Sequence, residues 1–390
     1  MKRFKFSELL TVILFCAILA SFSVSFLLLP DKEYSEQEKR PLEQLPELNG
    51  ENFFSGKYAK DINTYFADQF PLRNLFVKLK SSAELAFLKG ENNGVLFSYG
   101  QLAMKDFPAK LSSRHPDTST TPDTDRVYLK SVEVQLKAVN SVADKLKVPM
   151  VTVLPPRTID IVDSVFDYDR PDGDAVFELM NATLSEKTGY VDTLSLLRPK
   201  YEQGEYVYYR TDHHWTTEGA YAIYTEIMKQ LNCEDRIIPR SDFTVETVDG
   251  FSGSTAANGN FPFYKKDEVE IWHLDDDDSY TVIADGEDIG GFYSYKYLES
   301  SDQYSIFLDG THGKTEITKN GEERKTLLVV KDSFANCLIP FLAREFNIIA
   351  LDLATNLNIS YAVEEYNADA VLVVYNVENI IKSVNLSKIR

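Results

Sequence analysis

Thr326-Leu327-Leu328-Val329-Val330, followed by Lys331-Asp332-Ser333-Phe334-Ala335-Asn336, is the stretch from which the fold can be read. Its apolar residues run without alternation, which predicts a strand buried on both faces, the kind found in parallel sheets covered by helices. A helical run follows, then Ile348-Ile349-Ala350-Leu351 as a strand, Tyr361 to Tyr366 as a helix and Val371-Leu372-Val373-Val374-Tyr375 as a third strand. This β-α-β-α-β order implies an α/β class, with right-handed crossovers and helices on both faces of a parallel sheet. Upstream, Val127, Leu129, Val132, Leu136, Val139, Val142 and Leu146 make one apolar face of a long helix. Val148 to Leu154 then reads as a short buried strand, stopped by Pro155-Pro156-Arg157. Ligands bind at the carboxyl ends of such strands, so Arg157 is a candidate pocket residue. Ala175 to Lys187 is expected to be helical, and Tyr280 to Ile283 and Tyr304 to Leu308 are expected to be additional strands.

Ser333 stands between the buried strand and the next helix. A hydroxyl there projects from the carboxyl edge of the sheet, near helix N-terminal amides that can stabilise an oxyanion. A serine nucleophile also needs an imidazole to take its proton and a carboxylate to orient that imidazole. Both occur in Tyr208-Tyr209-Arg210-Thr211-Asp212-His213-His214-Trp215, just before a helix start at Thr216-Thr217-Glu218. In an extended or turn segment residues i and i+2 share a side, so Asp212 and His214 converge and His213 faces away. That alternation selects His214 as the base, with His213 and Trp215 as scaffold. Gly253 and Asn258, in a small-residue loop, are oxyanion or substrate candidates by neighbourhood alone. His115 falls in the Pro- and Ser-rich loop from Asp106 to Asp125 and is expected to be solvated. The run Asp275 to Asp278 lacks the alternating ligands of a calcium loop and reads as a solvated acidic turn.

The chain has 390 residues, 44% hydrophobic and 12% aromatic, ample for a packed core. Its formal net charge of −19 argues against a nucleic-acid partner. Three cysteines show no zinc-type spacing, and Cys233 and Cys337 are expected to be buried apolar residues, although one disulfide between them is compatible with the sequence. Lys2, Arg3 and Lys5 precede an apolar run from Leu9 to Leu29, long enough to span a bilayer. The basic flank places the tip in the cytoplasm and the rest outside. A cleaved signal peptide is the rival reading, but its apolar core is usually shorter and ends in a small-x-small site. The expected organisation is residues 1–30 as cytoplasmic tip and transmembrane anchor, 31–120 as linker, helical stalk and loop, and 121–390 as the α/β domain.

The tetrad Asp212-His213-His214-Trp215, with Lys331-Asp332-Ser333-Phe334, resembles the bacterial DHHW proteins. These in turn look like the SGNH-hydrolase-like proteins that O-acetylate alginate and other exported polysaccharides. The resemblance extends to Ser35 to Arg40, Tyr65 to Arg73 and Phe307 to His312. It implies an SGNH-hydrolase-like sheet and an Asp212–His214–Ser333 triad in which the Asp-x-His pair precedes the serine. It also implies a membrane-anchored serine O-acyl(acetyl)transferase or esterase of the cell envelope, with a polysaccharide acceptor. No cofactor or metal is implied, while a membrane-bound O-acyltransferase partner is. Lys331 departs from the glycine of the usual Gly-Asp-Ser. Two other readings compete: a metal-dependent phosphoesterase, suggested by Asp-His-His, and a non-catalytic glycan-binding or assembly protein that keeps the fold.

Overall fold

The computed structural model describes residues 6–105, 123–166, 174–353 and 357–389. Most of the loop expected from Asp106 to Asp125, His115 included, lies outside the described residues. The chain divides into two compact units, residues 1–92 with 260–263, and residues 93–259 with 264–390.

In the first unit the apolar run forms a helix, Phe6–Leu28, with a mean hydropathy of 2.4 and no buried residue. It is long and apolar enough to cross a membrane. Later in this unit come the helices Lys57–Asp68 and Arg73–Ala86, and Leu72 between them takes a left-handed φ of 61°. The charged residues of the two N-terminal motif strings form one ionic cluster. Arg40 donates to both oxygens of Asp68, at 2.9 and 2.6 Å, and Arg73 donates to both oxygens of Glu38, at 2.7 and 3.0 Å. Forked pairs of this kind give direction as well as energy. The hydrogen bond from Arg40, outweighing burial, holds the Asp68 carboxyl below the usual carboxylate range.

The second unit is built on a seven-stranded mixed sheet. In chain order its strands are β1 (Met150–Val153), β2 (Tyr280–Ala284), β3 (Glu287–Asp288), β4 (Lys314–Lys319), β5 (Thr326–Lys331), β6 (Asn347–Asp352) and β7 (Ala370–Val374). Across the sheet they run β3-β2-β4-β6-β5-β7-β1. The strands expected to be parallel are so: β6, β5, β7 and β1 pair in parallel, with Val329 opposite both Ala350 and Leu372. Their buried runs suit positions covered on both sides. The other half is antiparallel, β4 pairing with both β6 and β2. Because β5, β7 and β1 are adjacent and parallel, Ser333, Asn376 and Pro155–Arg157 all leave the same edge.

Three expectations change. Tyr304 to Leu308 is not a strand: Gln303–Ile306 is a single 3-10 turn, and Leu308, Asp309 and Gly310 follow at φ 56, 59 and 92°. Three left-handed residues in a row cannot continue a strand. The acidic turn is answered rather than merely solvated, since Arg344 meets Asp277 at 2.6 Å and Lys319 meets Asp276 at 3.0 Å. All three cysteines are free; Cys337 is buried as expected, whereas Cys233 is half-buried.

Asp68→Ala leaves Arg40 without its fork and removes the acceptor of the Glu43 amide, 3.0 Å away. The Arg40 side chain is 39% exposed and its pair contributes little, whereas the hydrogen bond from the Glu43 amide to the charged carboxylate is worth about 2 kcal/mol. The substitution is expected to lower stability by about that amount, seen as faster limited proteolysis within residues 31–92. Unaltered cleavage would mean that the cluster is not what holds this unit together.

Candidate active site

The tetrad sits at the tip of a tight hairpin. Tyr208 and Trp215 pair across it, the Thr216 amide donates to the Val207 carbonyl at 3.0 Å, and the Tyr209 amide donates to the His214 carbonyl at 3.3 Å. Thr216 then caps the Thr217–Gln230 helix, its hydroxyl accepting from the Gly219 amide at 3.2 Å. The hairpin is fastened from below by Asp267, the first residue of the strand Asp267–His273. This buried carboxylate accepts from the Arg210 amide at 3.0 Å, the Thr211 amide at 2.7 Å, the Thr211 hydroxyl at 2.5 Å and the Tyr206 hydroxyl.

Asp212 and His214 converge as the two-residue alternation requires. Asp212 Oδ1 lies 2.6 Å from His214 Nδ1, and His214 Nε2 lies 2.8 Å from Ser333 Oγ. The three side chains therefore form one continuous hydrogen-bonded line, although Ser333 is 119 residues beyond His214. Trp215 fixes the approach, its indole N–H donating to the Phe334 carbonyl at 3.1 Å. Tyr304 stacks flat on the His214 imidazole, with ring centroids 3.7 Å apart and planes 3° from parallel.

Asp212 is 3% exposed. Burial alone would raise its pKa, but the neighbouring imidazoles of His213 and His214 and the Ser254 amide outweigh it and hold the carboxyl well below the usual range. Besides the His214 ring it accepts from the His214 amide at 3.0 Å, the Ser254 amide at 2.7 Å and the Ser254 hydroxyl at 3.0 Å. Burial, reinforced by His213, pushes the His214 imidazole down to about 4, so at neutral pH it is uncharged and can accept a proton.

The serine side departs from expectation. Ser333 opens a single 3-10 turn, Ser333–Ala335, not an α-helix. The amides that follow it are already engaged: Phe334 N donates to Asp332 Oδ1 at 3.1 Å, Ala335 N to the Asp332 carbonyl and Asn336 N to the Ser333 carbonyl. Lys331, 1% exposed, packs beneath the turn, and its ammonium donates to Asn336 Oδ1 at 2.9 Å. Asn336 in turn donates to the Gly310 carbonyl at 3.0 Å. Asp332 accepts from the Asn376 amide at 2.7 Å and the Asn379 side chain at 2.8 Å, tying the Ser333 turn to the end of β7.

The remaining candidates divide. The Gly253 N–H donates to Thr211 Oγ1 at 3.0 Å, which removes it as a free oxyanion donor. A Cβ added to Gly253 would lie 2.2 Å from Asp212 Cβ, so the glycine lets the chain pass against the carboxylate. Arg157 is buried and forks onto Asp160 at 2.9 and 2.7 Å, but it also lines a small cavity of about 20 Å³ beside His213. Asn258 shares with Ser333 an open cleft of about 250 Å³, together with Met104, His213, Asn376 and Asn379. His213 does not face away. Its ring lies 3.9 Å from that of His214, its Nδ1 is 2.7 Å from Ser254 Oγ, and its side chain is 38% exposed.

Asn376 was within reach of the same rule that picked out Arg157, since it directly follows a buried strand. Ser254 carried no such signal, because it lies in a stretch without clear periodicity, and Tyr304 was hidden by an alternation that reads as a strand. Among the described residues, Asp212, His213 and His214 form the one group whose ligand atoms lie within 4.8 Å of one another. Two donors on a zinc ion stand about 3.3 Å apart. The 2.6 Å between Asp212 and His214 is hydrogen-bond spacing instead.

A profile of the DHHW protein family matches residues 139–351, more than half of the chain, and the chain belongs to that family. The crystal structure of a DHHW family protein from Eubacterium siraeum superposes with a TM-score of 0.56 at 17% identity, covering 76% of this chain and 95% of that one. Bacillus cereus PatB1 with a sulfonyl adduct gives 0.56 at 19% identity, covering 75% and 96%. The O-acetyltransferase domain of Pseudomonas putida AlgJ gives 0.43 at 11%, covering 74% and 93%. No curated protein matches the chain in sequence. At these identities the likeness to the first two is one of fold.

Gly253→Ala is expected to displace Asp212 and with it the tilt of the His214 ring. Misplacement of about 1 Å costs about 100-fold in rate, measurable as kcat on a chromogenic acetyl ester. A rate within threefold of the native chain would contradict this. A reaction that uses His214 as base requires its neutral form, so its kcat/KM would be lost on acidification. The lowered pKa predicts that the acid limb lies below the ordinary imidazole value of 6.5, toward 4. A limb at or above 6.5 would show that burial does not control the base.

Proposed function

We propose that the chain is a membrane-anchored, SGNH-hydrolase-like serine O-acyltransferase or esterase that acts outside the cytoplasm on a polysaccharide. The observation that carries this reading is the unbroken hydrogen-bonded line from Asp212 through His214 to Ser333. Ser333 Oγ attacks the acyl carbonyl while His214 Nε2 takes its proton. Asp212 keeps the Nδ1–H tautomer in place and stabilises the imidazolium, as the general logic of such triads requires. Collapse of the tetrahedral adduct returns the proton to the leaving group and leaves an acyl-serine. A sugar hydroxyl or water then reverses the sequence, with His214 again as base. The side-chain amides of Asn258 and Asn379 share the cleft with Ser333 and are the oxyanion donors to test first.

Acetyl is the natural acyl group, as the resemblance to the polysaccharide O-acetylating proteins implies. Family membership and the open cleft support a glycan acceptor. The Phe6–Leu28 helix and the basic residues before it support a single-pass anchor with residues from 31 onward outside. Acetyl transfer there needs a membrane-bound acyltransferase to bring the group across the bilayer.

The purified full chain, incubated with p-nitrophenyl acetate, is expected to release acetate and to be labelled at Ser333 by a fluorophosphonate. Ser333→Ala should abolish both, lowering turnover by more than 1,000-fold in line with loss of a nucleophile. Glycan binding by an unlabelled native chain would favour the non-catalytic reading instead.

A further inference from the structure

His213 is absorbed neither by the triad nor by the packing of the hairpin. Its ring lines both the open cleft that holds Ser333 and the small cavity beside it, and more than a third of the side chain is exposed. Its Nδ1 is taken by Ser254 Oγ at 2.7 Å, and its Nε2 has no protein hydrogen-bond partner among the described residues. The hydroxyl of Ser254 has one proton and two neighbours, His213 Nδ1 and, at 3.0 Å, Asp212 Oδ2. Asp212 is a carboxylate and can only accept. A hydrogen bond to a charged acceptor is roughly twice as strong as one between neutral groups, so the Ser254 proton goes to Asp212. Ser254 Oγ must then accept from His213, which puts the His213 proton on Nδ1. With the proton on Nδ1, the uncharged form of the ring presents a bare lone pair at Nε2.

We infer that His213 is an acceptor-positioning residue: its Nε2 accepts a hydrogen bond from one hydroxyl of the glycan acceptor while a neighbouring hydroxyl is offered to the acyl-serine. This rests on the acyl-transfer reading of Ser333. The chemistry balances without another reactant. His214 takes the proton of the attacking hydroxyl, the new ester bond forms to that oxygen, and the bond to Ser333 Oγ breaks as His214 returns the proton to the serine. His213 neither gains nor loses a proton. A lone-pair donor at this position selects a polyol over an anion, because a carboxylate or phosphate group offers Nε2 no proton. With the His213 ring centred 3.9 Å from that of His214 and tilted 37° to it, the two imidazoles can hold adjacent hydroxyls of one sugar ring. Water, which has no second hydroxyl on the same molecule, gains nothing from the arrangement, and transfer is favoured over hydrolysis.

The test uses the full chain in detergent, with p-nitrophenyl acetate as donor and cellotetraose, chitotetraose and tetragalacturonate as acceptor probes. The readout is the ratio of acetylated sugar to free acetate. His213→Phe keeps a flat ring against His214 and loses the polar atom, whereas His213→Gln loses the stack and keeps a carbonyl that accepts. Positioning by Nε2 predicts that the ratio falls at least tenfold in H213F, through the KM for the sugar, and largely recovers in H213Q. A purely structural role predicts the reverse order, and that order overturns the inference. Hydrolysis by the native chain with no transfer to any of the three sugars overturns it as well, while leaving the esterase reading in place. A native chain that fluorophosphonate does not label at Ser333 removes the reading and the inference together.

Discussion

Asp212 has to remain an anion where almost no water reaches it, and much of the second unit is arranged around that constraint. An unpaired carboxylate in such a place would cost several kcal/mol and would take up a proton instead. Here the charge is met by two amides, a hydroxyl and an imidazole. Each donor has its own support. The Thr211 side chain accepts from Gly253, and a second buried carboxylate, Asp267, holds Thr211. The absence of a side chain at Gly253 lets the Ser254 amide come within reach. One charge thus organises a hairpin, the short helix Ser254–Gly259 that replaces the expected small-residue loop, and the first residue of a strand.

Ser333 is held by a different device. The turn that carries Ser333 is too short to be stabilised as a helix, and it is fixed from outside by side chains. Lys331 fills the position where the familiar pattern has glycine, but it does not obstruct the turn. Its ammonium reaches Asn336, which reaches Gly310. That chain explains why the Phe307 to His312 string belongs with the serine motif: its left-handed residues deliver the Gly310 carbonyl to Asn336. Asp332, for its part, is the junction between the ends of two parallel strands.

What could be read from the sequence follows from which signals are local. The buried strands β5, β6, β7 and β1 declared themselves by unbroken apolar runs, and the pairing of Asp212 with His214 followed from a two-residue period. The antiparallel half of the sheet was harder to see, because its strands are partly exposed and separated by irregular turns. Tyr304 was misread because alternating residues can equally make a 3-10 turn when left-handed residues follow. His213 was misplaced for a related reason. Alternation tells which side of an extended segment a residue takes, but this hairpin tip curls, and the curl brings both rings together. Ser254 could not have been found, since nothing near it in sequence announces that it will meet a carboxylate 42 residues earlier.

The indole bond from Trp215 to the Phe334 carbonyl joins segments 119 residues apart. The entropy of closing such a loop rises slowly, by about 0.6 kcal/mol for each doubling of length. It is recovered only once β5 and β7 have docked and fixed the serine turn. The Asp212–His214 pair is thus made early in the chain and Ser333 late. A polypeptide emerging N-terminus first therefore carries only half of this hydrogen-bonded line until β5 and β7 are in place.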